Sequence, residues 1–308
     1  MLATHFPGIR TIVLDRNYGF TGGYNRAMAR LLSGPGPRPE YLILLNSDIL
    51  VEPGWLDRLT DYMDTHPECG ICGPKLLALT HKDGAYIQTD RLEYAGAAGG
   101  YIDRFGYPFC RGRVLSRTDV DGPGYSSVKD VLWVSGACLM TRASLWEESG
   151  GLDERFFAHM EEIDYCWRAQ LAGHRVRVVP SSRVWHLGGG TLPRTSATKL
   201  RLNYRNGLLL LDNNLAPTIG RFKARVRIIT RLILDDCSAL VYLLVGKTDF
   251  CGSVFRAHRE YRRLRKVPHK AASRNGDVCG VAPVCIILQS LLRGERIFDY
   301  LRRYEDSH

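Results

Sequence analysis

At 308 residues the chain can bury a full core, as one large domain or as one domain with an appendage. Its composition, 45% hydrophobic and 24% charged, is ordinary for a soluble protein, and no apolar run is long enough to span a bilayer. Lys and Arg (42) outnumber Asp and Glu (32), and the net charge of +10 favours polyanionic partners: nucleic acid, an anionic lipid surface or phosphorylated substrates.

Residues 9–15 (IRTIVLD) and 41–48 (YLILLNSD) are continuous apolar runs ending in polar residues, the pattern of strands buried on both faces of a parallel sheet. Between them GYNRAMARLL has helical spacing and stops at SGPGPRP. Strand, helix and strand predict a βαβ unit with ligands at the carboxyl ends of the strands. PGWLDRLTDYMDTH predicts the next helix, and CGICGPKLL a buried strand carrying Cys69 and Cys72. That CxxC has no second CxxC or histidine pair, so the nine scattered cysteines read as core residues in a reducing compartment.

Residues 84–128, rich in Gly, Tyr and Arg, read as a long loop or insert near a site, and VLWVSGACLMTR as another buried strand. A helix then opens on Glu161, Glu162 and Asp164 and closes at Gly173. Two short strands follow, and His186 leads into a triple glycine. Proton-accepting carboxylates, a metal-binding imidazole and bare backbone within one short stretch suit transfer of a group off a diphosphate.

Beyond residue 200 the character changes. RFKARVRIITRLIL sets Phe222, Val226, Ile229 and Ile233 on one face, with Arg221, Arg225, Arg227 and Arg231 around the other sides. RAHREYRRLRKVPHK adds seven Lys/Arg in fifteen residues. This tail reads as basic helices, either a solvated surface or one lying on an anionic membrane. Nucleic acid is excluded as a partner, because no aromatic sheet motif or helix-turn-helix pattern accompanies the charge. No signal peptide opens the chain. The expected location is cytoplasmic, with peripheral attachment to the inner face of the cytoplasmic membrane.

Two further motifs carry chemistry. NYGFTGGYN (residues 17–25) has three glycines in five residues, permitting a tight turn and a ligand's close approach to amides at a helix start. Its spacing is not the GxGxxG fingerprint, and a purely structural turn is the alternative. In LLNSD, Asp48 follows an apolar strand with Asn46 two residues before it. This pair is similar to the DxD element that holds a divalent cation on a nucleotide diphosphate; an N-cap on the next helix is the alternative.

NYGFTGGYN, LLNSD, WVSGA, FFAHMEEIDYCWRAQLAG and HLGGGTLP occur in the order and spacing of the family 2 inverting glycosyltransferases. The resemblance covers residues 5 to about 215 and is to the bacterial branch of rhamnosyltransferase-like and galactofuranosyltransferase-like enzymes. It implies an α/β protein of GT-A type: an α/β/α sandwich with a mostly parallel sheet over residues 1–215, then a basic helical extension over 216–308. RLNYRNGLLLLDNN resembles the segment that follows the catalytic domain in this branch. The family begins with a βαβ half of about fifty residues that this chain is expected to lack, which raises a second reading, a non-catalytic module binding membrane or partner enzymes.

By position, the resemblance implies that Asp48 and His186 hold a divalent metal, Mg or Mn, on a nucleotide-diphosphate sugar. Asn17, Gly19, Gly22, Gly23, Asn25, Asn46, Gly188 and Gly189 would line the nucleotide-sugar site. Trp133, Ser135 and Gly136 would face the acceptor, a glycan or lipid-linked oligosaccharide. Glu161 and Glu162 fall on the family's Glu-Asp pair, making Glu162 the general base, expected to be ionised by the helix dipole. Asp164 is expected to pair with Arg168 one turn on.

Overall fold

The apolar runs at Tyr41 and Cys69 become strands of one sheet, in a computed structural model that describes residues 2–188, 196–270 and 276–307. The chain runs through α1 (Leu2–His5), α2 (Gly19–Ser33), β1 (Tyr41–Leu45), β2 (Ile49–Val51), α3 (Trp55–Thr65), β3 (Cys69–Lys82) and β4 (Ala85–Leu92). Short strands β5 (Gly100–Asp103), β6 (Pro108–Cys110), β7 (Arg113–Val114), β8 (Arg117–Thr118) and β9 (Lys129–Asp130) lead to β10 (Cys138–Arg142), α4 (Ala143–Ser149), α5 (Glu161–Leu171) and β11 (Arg175–His186). The remainder is α6 (Ala197–Ile219), α7 (Arg221–Leu244), α8 (Thr248–Leu264), β12 (Val281–Ala282), α9 (Ile286–Arg293) and α10 (Ile297–Ser307).

The main sheet has the order β1-β10-β3-β11-β2, with β4 on β3 and β9 on β11. The α/β class stands, but the sheet is not mostly parallel: only β3 and β11 run parallel, and every other pairing is antiparallel. Residues 9–15 do not form a strand either, so the βαβ unit is absent. An apolar run becomes a strand only by pairing. This one lies against α2, where Arg30 donates to the Val13 carbonyl, and Val13 is 78% exposed.

Instead of two short strands, β11 is a single strand whose register shifts between Val179 and Arg183. Pro180, which has no N–H to give a ladder, lies at that irregularity. VLWVSGACLMTR is buried throughout but is strand only from Cys138, its first half being an irregular wall. α5 is covered on all sides, with Ile163, Tyr165, Cys166 and Trp167 in the main core. Five of the nine cysteines are buried and all are free thiols.

Residues 84–128 are not a long loop. They supply β4 and, with β12, the second sheet, ordered β12-β5-β6-β7-β8. The tail is integrated with it: β12 pairs with β5, and Phe109 and Val114 pack against Ile286, Ile297, Phe298 and Leu301. Buried Arg111 donates to Glu305 at 2.9 Å.

Helix α7 is oriented opposite to its sequence pattern. Ala224, Arg231, Asp235 and Ala239 face inward, while Phe222, Val226, Ile229 and Ile233 are exposed. Arg231 pairs with Asp235 at 2.7 Å, lies over the Tyr107 ring, and donates to the carbonyls of Phe105 and Gly106.

Candidate active site

The loop entering α5 is strained. Phe157, His159 and Met160 have φ of 63°, 72° and 70°, left-handed values that cost a non-glycine residue about 1–3 kcal/mol each. Neighbouring groups enforce this shape. Asn206 of α6, fully buried, donates to the carbonyls of Phe156, Ala158 and His159, and Arg205 donates to Phe156 at 2.6 Å. From the other side, the Phe20 and Thr21 amides donate to the Phe157 carbonyl.

That clamp accounts for the glycine motif. Asn17 accepts from the Gly19 amide, and a Cβ on Gly19 (φ 72°) would lie 2.6 Å from the Phe157 ring. The first amides of α2 are therefore occupied by protein and are not open to phosphate. Asn25 donates to and accepts from the Leu152 backbone, and Gly22 packs on Tyr18 and Arg26. Gly23 faces open space. The motif positions the α5 loop, the structural alternative to a phosphate cradle.

The result is a pair of carboxylates in the interior. The Oε2 atoms of both Glu161 and Glu162 are buried without a hydrogen-bond partner. Burial, and repulsion by Glu162, push Glu161 well above the usual carboxylate range. Burial also raises Glu162, against the pull of backbone amides that include Ile163 and Gly136. The expectation of a weakly basic Glu162 governed by the helix dipole is thus corrected: the net shift is upward, because desolvation outweighs a dipole effect of about 0.3–1 kcal/mol. Asp164, three residues on, is the opposite case. It accepts from Arg168 at 2.7 Å and from Asn213 and Asn214 at 2.8 Å each.

Residues 135–137 connect this pair to the second cluster. A Cβ on Gly136 would meet the Glu162 Cβ at 3.5 Å, and the next residue, Ala137, accepts from the Asn46 amide at 2.9 Å. Ser135 is buried and holds the Ala137 amide. Trp133 does not line an open pocket: its indole is buried against Gly100 and donates to the Tyr101 carbonyl.

Asp48 and His186 meet where β2 pairs with β11, with Asp48 Oδ1 3.3 Å from His186 Nε2. Asn46 Nδ2 is 3.4 Å from the same nitrogen. Glu93, 3% exposed and without a sequence motif to mark it, faces His186 Nδ1 at 3.5 Å. Burial lowers the imidazole's proton affinity, but Glu93 and Asp48 outweigh it and the net shift is upward. Gly188 follows with φ 55°; Gly189 lies outside the described residues.

Among the described residues no three His, Cys, Asp or Glu side chains form a complete metal site. Asp48 and His186 supply one oxygen and one nitrogen, a donor set that suits a cation completed by substrate phosphates and water. A cavity of about 310 Å³ opens beside His186, lined by Thr80, Arg91, Glu93, Tyr94 and Thr118 among others. His159, also missed from sequence, has a buried Nε2 without a partner; burial and nearby Lys199 bring its pKa down to about 4.

The sequence model described as "Glycosyltransferase like family 2" matches residues 2–207. An N-acetylglucosaminyl-diphospho-decaprenol L-rhamnosyltransferase of Mycobacterium tuberculosis is 28% identical over 211 residues, 67% of each chain. Rhamnosyltransferase WbbL of Escherichia coli K12 is 26% identical over 186 residues, 60% of this chain and 66% of that one. A solved structure of GalNAc-T7 with UDP, GalNAc and Mn2+ aligns with a TM-score of 0.47 at 15% identity, over 65% of this chain and 35% of that one. That likeness is too distant to carry the assignment. The family match spans most of the chain: the protein belongs to the family 2 glycosyltransferases.

Proposed function

We propose that the protein transfers a sugar from a nucleoside-diphosphate donor to a glycan or lipid-linked acceptor in surface polysaccharide synthesis, with inversion at the anomeric carbon. The names of the two relatives favour an L-rhamnosyl donor and a polyprenyl-diphosphate-linked acceptor. The observation that carries this reading is the adjacent pair Glu161 and Glu162, each with one buried oxygen lacking a partner, joined through residues 135–137 to Asn46 and the Asp48–His186 cluster.

Inversion is a single displacement, in which one carboxylate takes the acceptor hydroxyl's proton as that oxygen attacks the anomeric carbon and the nucleoside diphosphate departs. Glu162 fills that role, because it contacts Gly136 and the motif resemblance sets it on the second member of the family's Glu-Asp pair. Its raised proton affinity makes it a stronger base than an exposed glutamate once deprotonated. Glu161 beside it keeps its own proton to higher pH, held by burial and by the charge of Glu162. Asp48 and His186 hold the divalent cation, which supplies positive charge to the leaving diphosphate. Asn46 steadies His186, and the polar cavity beside His186 suits a sugar ring.

The direct test is an assay of the full chain with a nucleoside-diphosphate L-rhamnose and a polyprenyl-diphosphate N-acetylglucosamine acceptor, with Mg or Mn and with chelator. Product of inverted configuration, lost on chelation, is expected. Retained configuration, or full rate in chelator, would overturn the mechanism.

A further inference from the structure

Helix α7 is built inside out. Phe222, Val226, Ile229, Ile233, Leu240 and Leu244 recur every three, four or seven residues and so align on one side of the helix. All six are exposed, Phe222 to 81% and Leu244 to 76%. The stripe is about 33 Å long at the helical rise. A monomeric soluble protein rarely leaves so long an apolar face uncovered.

The helix cannot roll to hide it. Its inward side carries the buried Arg231–Asp235 pair, with Arg231 also held by two carbonyls and an aromatic ring of the β5–β6 hairpin. Rolling α7 would break that set and place six apolar side chains where polar partners wait. The outward direction of the stripe is fixed by what lies opposite.

Charge selects the occupant. Arg221, Lys223, Arg225 and Arg227 crowd the start of α7, and Lys247 follows its end. The helix has two acidic residues: Asp235 is buried and paired, and Asp236 faces His258. A second copy packed in parallel would set the basic ends against each other. Packed antiparallel, it would set these four basic side chains against Lys247, with Asp249 the one nearby acid to answer them. An anionic lipid surface matches both features, since its headgroups meet the arginines and its acyl boundary takes the stripe. No described helix is long and apolar enough to cross a membrane, so the contact is one of lying on the surface.

We propose that α7 is a membrane-docking helix that lies flat on an anionic bilayer with its stripe of six apolar side chains inserted at the headgroup boundary. This differs from attachment by basic charge alone, and it does not rest on the transfer reaction, because docking requires neither donor, metal nor acceptor.

Flotation of the full chain with vesicles of phosphatidylcholine, alone and mixed with phosphatidylglycerol, tests it. The wild type floats with the mixed vesicles and keeps part of that binding in high salt, where charge is screened. The triple variant Phe222→Ser, Ile229→Ser, Leu240→Ser loses about tenfold or more of the binding. Its melting temperature is unchanged, because all three positions are exposed. Exposed Cys237, next to the stripe, gives a reading independent of that variant: an environment-sensitive probe on it shifts to the blue with mixed vesicles. The proposal is overturned if the wild type stays with the unbound protein, if the probe does not shift, or if the folded triple variant floats as the wild type does. A concentration-dependent dimer abolished by the triple variant would assign the stripe to a second copy.

Discussion

At the start of α5, Glu161 and Glu162 sit side by side in the interior with no cation to neutralise them, and each leaves an oxygen without a partner. In the middle of α7, Asp235 is as deeply buried, but Arg231 lies 2.7 Å away and His258 at 3.6 Å. The apolar faces differ too: α5 buries its hydrophobic residues, while α7 packs Ala224, Ile228 and Leu232 on the core and turns a second apolar stripe outward. Asp235 too leaves its Oδ2 without a hydrogen-bond partner, so the contrast lies in charge: a guanidinium stands beside Asp235 and none beside the two glutamates. Folding alone would not retain an unpaired carboxylate pair or an uncovered apolar stripe, since each costs stability. The presence or absence of a compensating cation therefore separates the two acidic sites more sharply than residue type does. Asp164 makes the point within α5 itself: it is a carboxylate like its neighbours, and it bonds Arg168, Asn213 and Asn214.

The largest effect should come from breaking a paired charge. Arg168→Met or Arg231→Met strands a buried aspartate, and each should cost about 3–5 kcal/mol in denaturant unfolding. A loss below 1 kcal/mol would erase the distinction between the paired and unpaired acids. Next is the unpaired side. Glu162→Gln keeps shape but accepts no proton, so single-turnover transfer should fall about 10²-fold or more while nucleotide affinity holds. If the rate survives, the role passes to Glu161. Asp48→Ala should weaken Mg- or Mn-dependent binding of the nucleoside diphosphate about tenfold or more, by calorimetry, since even residues supporting a metal ligand matter to that extent. Unchanged affinity would remove Asp48 from the cation.

A smaller effect has the opposite sign. Because Glu161 holds its proton more tightly folded than unfolded, its favourable contribution is full at acid pH and is lost as pH rises through its raised value. Glu161→Gln cannot ionise, so it should melt about 2–4 °C higher than wild type near pH 8, and close to wild type near pH 4, taking about 1 kcal/mol as the scale. A lower melting temperature at pH 8 would mean that the pair is stabilising, like Asp235 with Arg231.

Much of this arrangement was legible in the sequence. The strand preceding Asn46 and Asp48, the carboxylates opening α5 and the strand delivering His186 are local signals, and pairing β2 with β11 brings Asp48 and His186 together. The failures were of non-local origin. Residues 9–15 have the composition of a strand, but a strand also needs a neighbour. Glu93 belongs to no motif and meets His186 only because β3 carries both β4 and β11. The short strands β5 to β8 are too brief and glycine-rich for a period of two to register. The period of α7 was plain, but a period does not say which face turns inward; Asp235 and the carbonyls of Phe105 and Gly106 decide that. The proton affinity of Glu162 was misjudged because the helix dipole can be read from position, whereas burial cannot.

The central claim is that Glu161 and Glu162 act as one buried pair, with Glu162 the base. The pH dependence of kcat/KM, measured for the wild type and for Glu161→Gln, tests it most directly. In the wild type the rising limb should lie above the ordinary carboxylate range, because burial favours the protonated form of Glu162. Glu161 holds its proton to still higher pH, so Glu161→Gln mimics its neutral form and should keep both the raised limb and the plateau activity. A limb in the ordinary carboxylate range, a plateau lost in Glu161→Gln, or activity independent of pH throughout would contradict the account.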